Sequence, residues 1–98
     1  MTYPALAAFN DDPGRTSQRW AVYMAVQPPV LSHSLPRPLK LEEICQRARV
    51  RWATASEVRA WLIKHGYLIV HGRDARGMPL VTLAWAIGEN RNWDQQHG

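Results

Sequence analysis

The segment between residues 41 and 83 constrains the fold most, because two helical patterns and a hairpin pattern follow one another there with little spare chain. The first pattern places apolar residues at helical spacing on one face: Leu41, Ile44, Cys45 and Ala48. Two glutamates open this segment and two arginines close it, which complements the dipole of a helix at both ends. We therefore predict a short helix beginning at Leu41.

A second helix is predicted over residues 54–65. Thr54 and Glu57 have the capping-box spacing, in which each side chain bonds the backbone amide of the other residue. The buried stripe of this helix is expected to contain Ala55, Val58, Trp61 and Leu62. Gly66 then stands where a left-handed residue would end the helix.

A β-hairpin is predicted after the second helix. Residues 67–70 and 80–85 are rich in β-branched and apolar side chains, and the segment 71–78 between them is charged and bounded by glycines. A hairpin is the simplest connection, and its loop would carry Arg73, Asp74 and Arg76.

The remaining segments show weaker patterns. Residues 1–15 are rich in turn formers, so we predict an irregular N-terminal arm. Thr16 or Ser17 can cap a helix that ends near Gln27, before the pair Pro28-Pro29. Residues 28–38 are expected to form a loop and residues 89–98 a polar C-terminal tail, which leaves residues 16–88 as the folded domain.

Size and composition favour one cytoplasmic domain. Ninety-eight residues with 46% apolar content suit a single domain with a modest core. No apolar run approaches the roughly 18–20 residues that span a bilayer, so no membrane association is expected. The N-terminus is a poor signal peptide, and the single Cys45 cannot form an internal disulfide, which suits a reducing compartment.

Enzymatic chemistry is not expected from these residues. His65 and His71 flank the first predicted strand, where a histidine is more often a surface residue than a catalyst. The carboxylates form no evident acid–base pair, and no nucleophile has a supporting base. One cysteine and four scattered histidines do not make a metal site, and we expect no cofactor.

Positive charge is concentrated in the middle of the chain. Between Arg37 and Arg76 there are nine Lys or Arg against four Asp or Glu, a balance of +5, whereas the remainder has three against four, a balance of −1. A basic face of this kind attracts a polyanion by releasing its condensed counterions. The alternative is a solvated basic surface that serves solubility alone.

These patterns resemble the winged helix-turn-helix superfamily of bacterial and phage regulators. Residues 41–48 look like its bracing helix, and residues 54–68 look like its recognition helix running into the first wing strand. The resemblance implies an α+β fold with three helices and a two-stranded wing hairpin. The chain departs from the family at Arg49-Val50, where many members carry a glycine in the turn.

The resemblance implies a sequence-specific transcriptional regulator that binds double-stranded DNA. Residues 54–65 would enter the major groove and residues 71–78 would touch the flanking backbone. Expected base contacts are Ser56, Arg59, Ala60 and Ile63, with Arg59 suited to bidentate contact with guanine. Expected backbone contacts are Arg49, Arg51, Lys64, Arg73 and Arg76.

A homodimer is expected, because one such module neutralises few phosphates. The candidate dimer surfaces are the first helix, through Trp20, Tyr23 and Met24, or the segment from Trp85 to Trp93. A protein-docking module is the alternative function, for example a phage- or plasmid-encoded inhibitor of a host complex, and a replication or partition accessory protein is a third. Exposed tryptophans with scattered arginines would favour docking.

The DNA-binding hypothesis predicts different effects for two arginine variants. Arg59→Ala should change the sequence preference, because it removes a base contact, whereas Arg73→Ala should weaken binding to all sequences alike. Gel shifts over a salt series measure both effects. An unchanged affinity for both variants would contradict these DNA contacts.

Overall fold

Four helices and three antiparallel strands form the part of the chain that the computed structural model describes, residues 3–31 and 35–87. Their order along the chain is α1 (Pro4–Asn10), α2 (Ser17–Leu31), β1 (Arg37–Pro38), α3 (Leu41–Ala48), α4 (Trp52–Lys64), β2 (Leu68–Arg73) and β3 (Pro79–Leu83). The α+β class is as predicted. The predicted count of three helices and two strands is wrong, because α1 and β1 are additional elements.

The sheet has the strand order β1-β3-β2. β1 pairs with β3 through Arg37 opposite Val81 and Pro38 opposite Leu80, within a segment that the sequence predicted as loop. A strand of two residues shows no alternation of apolar and polar side chains, so the sequence carries little signal for it. Pro38 is tolerated because β1 is an edge strand.

β2 and β3 form the predicted hairpin. Leu68 pairs with Leu83 and Val70 with Val81, and the register then shifts by one residue before Arg73 pairs with Pro79. Gly72 lies within this bulge with a φ of 131°, a conformation that side chains other than glycine rarely adopt. The residues between Arg73 and Pro79 form the tip of the hairpin.

The N-terminal segment is part of the core, so the predicted irregular arm over residues 1–15 is wrong. Residues 4–10 form α1, and its Ala5 and Phe9 are completely buried. The Ala5 amide also donates to the carbonyl of Trp85, just beyond β3. The folded domain therefore includes α1, rather than beginning at residue 16.

Phe9 lies at the centre of five aromatic side chains, here called the aromatic cluster. Its ring centroid is 4.4 Å from that of Tyr23, 5.1 Å from Tyr67, 5.9 Å from Trp20 and 6.1 Å from Trp61. These partners come from α2, α4 and the start of the hairpin, so one phenyl ring joins three parts of the chain. Aromatic pairs at such distances stabilise a fold beyond the area that they bury.

The loop after α1 is fixed by a hydrogen bond between Tyr67 and Asp12. The Tyr67 hydroxyl donates to Asp12 Oδ2 over 2.7 Å, while Asp12 Oδ1 accepts from the Gly14 amide over 2.7 Å. The Tyr67 bond is the main reason that the pKa of Asp12 lies below its ordinary value. Burial, followed by the bond to Asp12, raises the pKa of Tyr67.

Gly14 and Arg19 both pack against the side chain of Trp61. A Cβ atom at Gly14 would lie 2.8 Å from Trp61 Cζ2, which leaves no room for a side chain. The Arg19 guanidinium lies 4.6 Å from the centre of the Trp61 ring and donates to Glu57 over 2.7 Å. This cation–π contact and ion pair connect the first turn of α2 to α4.

α2 begins as predicted but continues further. Thr16 caps it, because its hydroxyl accepts from the Arg19 amide over 3.1 Å. The prediction that the helix ends near Gln27 is wrong, since helical backbone continues through Pro28-Pro29 to Leu31. Proline removes an amide donor, but its fixed φ is compatible with helical backbone.

α4 begins two residues earlier than predicted, at Trp52. No side chain caps it, and the predicted capping box is wrong because Thr54 is the third residue of α4 rather than its N-cap, while Glu57 pairs with Arg19. The predicted buried stripe is confirmed: Ala55, Val58 and Leu62 are buried, and Trp61 packs partly against the core. Gly66 has the predicted left-handed backbone, with a φ of 85°.

The Tyr67–Asp12 bond predicts a pH-dependent stability. Tyr67→Phe should lower the free energy of unfolding at neutral pH by roughly 1.5 kcal/mol, the lower end of the range for a hydrogen bond to a charged group, because Asp12 is only half-buried. Because the pKa of Asp12 is depressed in the folded state, its contribution is full above about pH 4 and disappears as the pH falls further. Tyr67→Phe should therefore lose less stability on acidification than the parent protein.

Urea unfolding between about pH 3 and pH 7 measures this difference. Tyr3→Phe is the matched control, because the Tyr3 hydroxyl lies 3.4 Å from the Tyr23 hydroxyl and is not one of the groups that lower the pKa of Asp12. An identical acid dependence for Tyr67→Phe and the parent would contradict the prediction.

Candidate nucleic-acid interface

The first turns of α4 lie between two surface grooves. One, here called the wing groove, has a volume of about 550 Å³ and lies among the start of α3, α4 and the hairpin tip. The other, here called the turn groove, has a volume of about 380 Å³ and lies between the start of α2 and the connection from α3 to α4. Eight of the nine predicted site residues are distributed along these grooves and α4, and the ninth, Arg73, lies on the hairpin.

The turn groove is cationic. Arg49 and Arg51 are both exposed and line it together with neutral residues of α2 and with Thr54, and none of the described residues that line it is acidic. Arg49 makes the turn without a glycine by adopting left-handed backbone itself, with a φ of 56°. Arg51 is the extended residue that precedes α4. The chain reversal thus places both arginines at the start of α4.

The wing groove has mixed charge and an exposed indole. Lys40, Arg59 and Arg76 line it against Glu42 and Asp74, which gives three positive and two negative groups, a balance of +1. Trp52, the first residue of α4, also lines it and is 56% exposed. This groove therefore offers apolar surface as well as positive charge.

Arg59 is less available than the sequence predicted. Its side chain is half-buried, and Nη1 donates to the carbonyl of Leu39 over 3.0 Å and contacts Met78 Sδ at 3.6 Å. Burial lowers the pKa of Arg59, although an arginine remains protonated. Arg59 thus connects α4 to the segment before α3 and to the hairpin, and it still lines the wing groove.

The other predicted contacts on α4 differ in exposure. Ala60 and Lys64 are exposed, and Ser56 is half-buried. Ile63 packs partly against the core, so much of its side chain is engaged within the fold. The outer side of α4 therefore carries the small side chains of Ser56 and Ala60, the exposed Glu57, and Lys64 in its last turn.

Asp74 shapes the hairpin tip. Its Oδ1 accepts from the amides of Arg76 over 2.9 Å and Met78 over 2.8 Å, so the carboxylate organises the loop backbone. Arg73 Nη1 donates to the carbonyl of Gly77 over 2.7 Å. Arg76 is exposed and lines the wing groove, whereas Arg73 braces the tip.

Sequence reasoning missed Lys40 and Trp52. Lys40 precedes α3 and Trp52 begins α4, and both line the wing groove. The capping-box pattern at Thr54 placed Trp52 in the turn, so its position on the helix was not expected. The turn of a helix-turn-helix usually has about three or four residues. This typical length is the signal that could have shown that α4 begins at Trp52, directly after residues 49–51.

The aromatic residues divide between core and surface. Of the predicted dimer surface on α2, Tyr23 is completely buried and Met24 packs against the core, whereas Trp20 is exposed. Trp85 is 61% exposed and stacks on Tyr3 with 5.6 Å between ring centroids. Trp93 and the predicted tail at 89–98 lie outside the described residues.

Two further features concern membranes and metals. Within residues 3–31 and 35–87, no helix has the length and apolar character needed to cross a bilayer. In the same ranges, no group of three or more His, Cys, Asp or Glu side chains is placed to hold a metal ion.

The chain matches no protein-family model, no curated protein and no solved structure.

Asp74→Ala should loosen the hairpin tip, because the amides of Arg76 and Met78 lose their shared acceptor. We expect faster hydrogen exchange at these two amides, with little change at Val70 and Val81 in the paired strands. Asp74→Asn is the matched control, since its side-chain oxygen can still accept. Unchanged exchange in Asp74→Ala would contradict the assigned role.

Proposed function

We propose that this chain is a winged helix-turn-helix protein that binds double-stranded DNA as a transcriptional regulator, with α4 in the major groove. The order of α2, β1, α3, α4 and the β2–β3 hairpin supports this proposal, as does the strand order β1-β3-β2. The β2–β3 hairpin directly follows α4, where the resemblance places the wing. α3 would be the bracing helix and α4 the recognition helix.

The observation that carries the proposal is the position of the first turns of α4 between two grooves that both carry positive charge. A recognition helix in the major groove has a phosphate backbone on each side of it. Arg49 and Arg51 would meet one backbone from the turn groove. Lys40 and Arg76 would meet the other from the wing groove.

The start of α4 itself favours an anion. Its first amides are not capped by a side chain, and unpaired amides at a helix N-terminus carry partial positive charge. Arg49 and Arg51 stand beside these amides and add two full charges. A phosphate oxygen in the turn groove would satisfy both kinds of group.

Base contacts are assigned to the outer side of α4. Ser56 and Ala60 lie along it, Lys64 follows in the last turn, and Arg59 approaches from the wing groove. A guanine contact by Arg59 would have to coexist with its bond to Leu39 or replace that bond. Arg73 contributes indirectly, by stabilising the hairpin tip. The protein binds DNA as a homodimer in the cytoplasm.

A docking module is the second candidate, and the exposed tryptophans favour it. Trp52 is 56% exposed and Trp85 is 61% exposed, and large aromatic side chains at a surface are typical of protein interfaces. An inhibitor of a host complex would use this surface against a protein. Binding to duplex DNA distinguishes the two candidates.

The test is a fluorescence-anisotropy titration of random-sequence duplex DNA over a salt series. Arg51→Ala should weaken binding to all duplexes alike and reduce the salt slope by about 1, because it removes one phosphate contact. Arg47→Ala is the matched control: Arg47 is exposed and lines neither groove, so its removal should change the salt slope little.

Failure to bind any duplex at low salt would overturn the proposal. So would duplex binding that Arg51→Ala and Arg47→Ala weaken to the same extent, since that result indicates a diffuse charge effect without a defined interface.

A further inference from the structure

The wing groove contains an exposed indole that no other ring covers. Trp52 is 56% exposed, and among the residues that the structure describes no aromatic or cationic side chain stacks on it. Further apolar surface in the groove comes from Pro38, Leu41 and Met78. The groove has a volume of about 550 Å³, and sites for small ligands commonly have volumes of roughly 300–1,000 Å³. It can therefore hold a planar group against the indole.

The wing groove also carries charges of both signs that have no partner within the fold. Lys40 and Arg76 are exposed, and so is Glu42. In the described part of the chain, the side chains of these three residues form no hydrogen bond or ion pair. Asp74 and Arg59 differ, because one organises the hairpin tip and the other bonds the segment before α3. Two cations and one carboxylate are thus available to a ligand.

The backbone of a duplex would leave much of this surface unused. Its phosphates can pair with Lys40 and Arg76, but Glu42 lies in the same groove and repels them. The bases of a duplex stack on one another, so they offer no free face to Trp52. The groove therefore suits a ligand that carries a flat ring and hydrogen-bond donors as well as an anion.

An unpaired nucleotide has these three parts. Its base has a π face that can stack on an indole, as in many proteins that bind single-stranded nucleic acid. The amino groups of adenine, cytosine and guanine donate hydrogen bonds that a carboxylate such as Glu42 can accept. Its phosphate supplies the anion for Lys40 and Arg76. Trp52 is the first residue of α4, so a base stacked on it lies beside the helix assigned to the major groove.

We propose that the wing groove binds an unpaired nucleotide at the point where duplex DNA continues into a single strand. The base stacks on Trp52 and donates to Glu42, and the phosphate lies between Lys40 and Arg76. This inference rests on the proposed function, since α4 holds the duplex part of the same DNA. It adds to that function a preference for junctions between duplex and single strand over continuous duplex.

The test uses fluorescence anisotropy to compare a blunt hairpin duplex with the same duplex carrying a short unpaired adenine extension at its 3′ or its 5′ end. One of the two extensions should strengthen binding about fivefold or more, the effect of stacking one base on an aromatic side chain. An extension of the same length built from abasic units keeps the phosphates but has no base to stack. It should lose most of the gain.

Protein variants then assign the contact to the wing groove. Trp52→Ala should remove the gain from the extension and leave binding to the blunt duplex unchanged, whereas Trp52→Phe should retain part of the gain. Trp85→Ala is the matched control, because Trp85 is 61% exposed and does not line the wing groove. Thermal unfolding of each variant establishes that the fold is retained.

Equal binding of the blunt and extended duplexes would reject the inference and leave the proposed function standing. An abasic extension that strengthens binding as much as adenine does would also reject it, since the gain would then come from phosphates alone. A loss with Trp85→Ala as large as the loss with Trp52→Ala would show that the wing groove is not the site.

Deoxyadenosine monophosphate distinguishes a DNA strand from a free nucleotide as the ligand. If it binds in a way that requires Trp52 while neither extension strengthens duplex binding, the groove is a site for a small ligand and the inference is overturned. Absence of binding to every duplex at low salt, blunt or extended, would overturn both the inference and the proposed function.

Discussion

The packing of Phe9 against the aromatic cluster is the contact on which the rest of the structure depends. α1 contributes this ring, and α2, α4 and the start of the hairpin contribute its partners. Two further contacts fix the loop that follows α1. Tyr67 donates a hydrogen bond to Asp12, and Gly14 and Arg19 pack against the Trp61 ring. The orientation of α4 is therefore set from its inner side by the N-terminal segment. A fragment that begins at residue 16 would lack the central ring of this core.

The sequence predicted the parts of the fold that depend on local periodicity. The apolar face of α3, the buried stripe of α4 and the left-handed Gly66 each follow from residues within a few positions of one another. α1 and β1 could not be predicted in this way. α1 is seven residues long, and its burial depends on aromatic partners distant in sequence. The capping box failed because α4 begins two residues before Thr54, and Glu57 pairs instead with Arg19 on another helix.

The sequence predicted which residue types lie at the candidate site, but it did not predict all of their roles. The cationic turn at Arg49 and Arg51 and the exposed Arg76 lie where the sequence patterns indicated. Arg59 differs, since its position on the flank of α4 puts it within reach of the Leu39 carbonyl. Helical spacing gives the angle of a side chain around the axis, but the neighbours on each flank are known only from the tertiary structure. The role of a surface arginine therefore depends on the tertiary neighbours of its helix.

The left-handed backbone of Arg49 links protein stability to surface charge at one residue. A side chain in this conformation costs on the order of 1 kcal/mol relative to glycine, which adopts it freely. Glycine at this position would relax the reversal between α3 and α4 and would also remove a cation from the turn groove. Alanine would remove the same cation without relieving the backbone. Comparison of the stabilities of the glycine and alanine variants separates the conformational contribution of Arg49 from its electrostatic contribution.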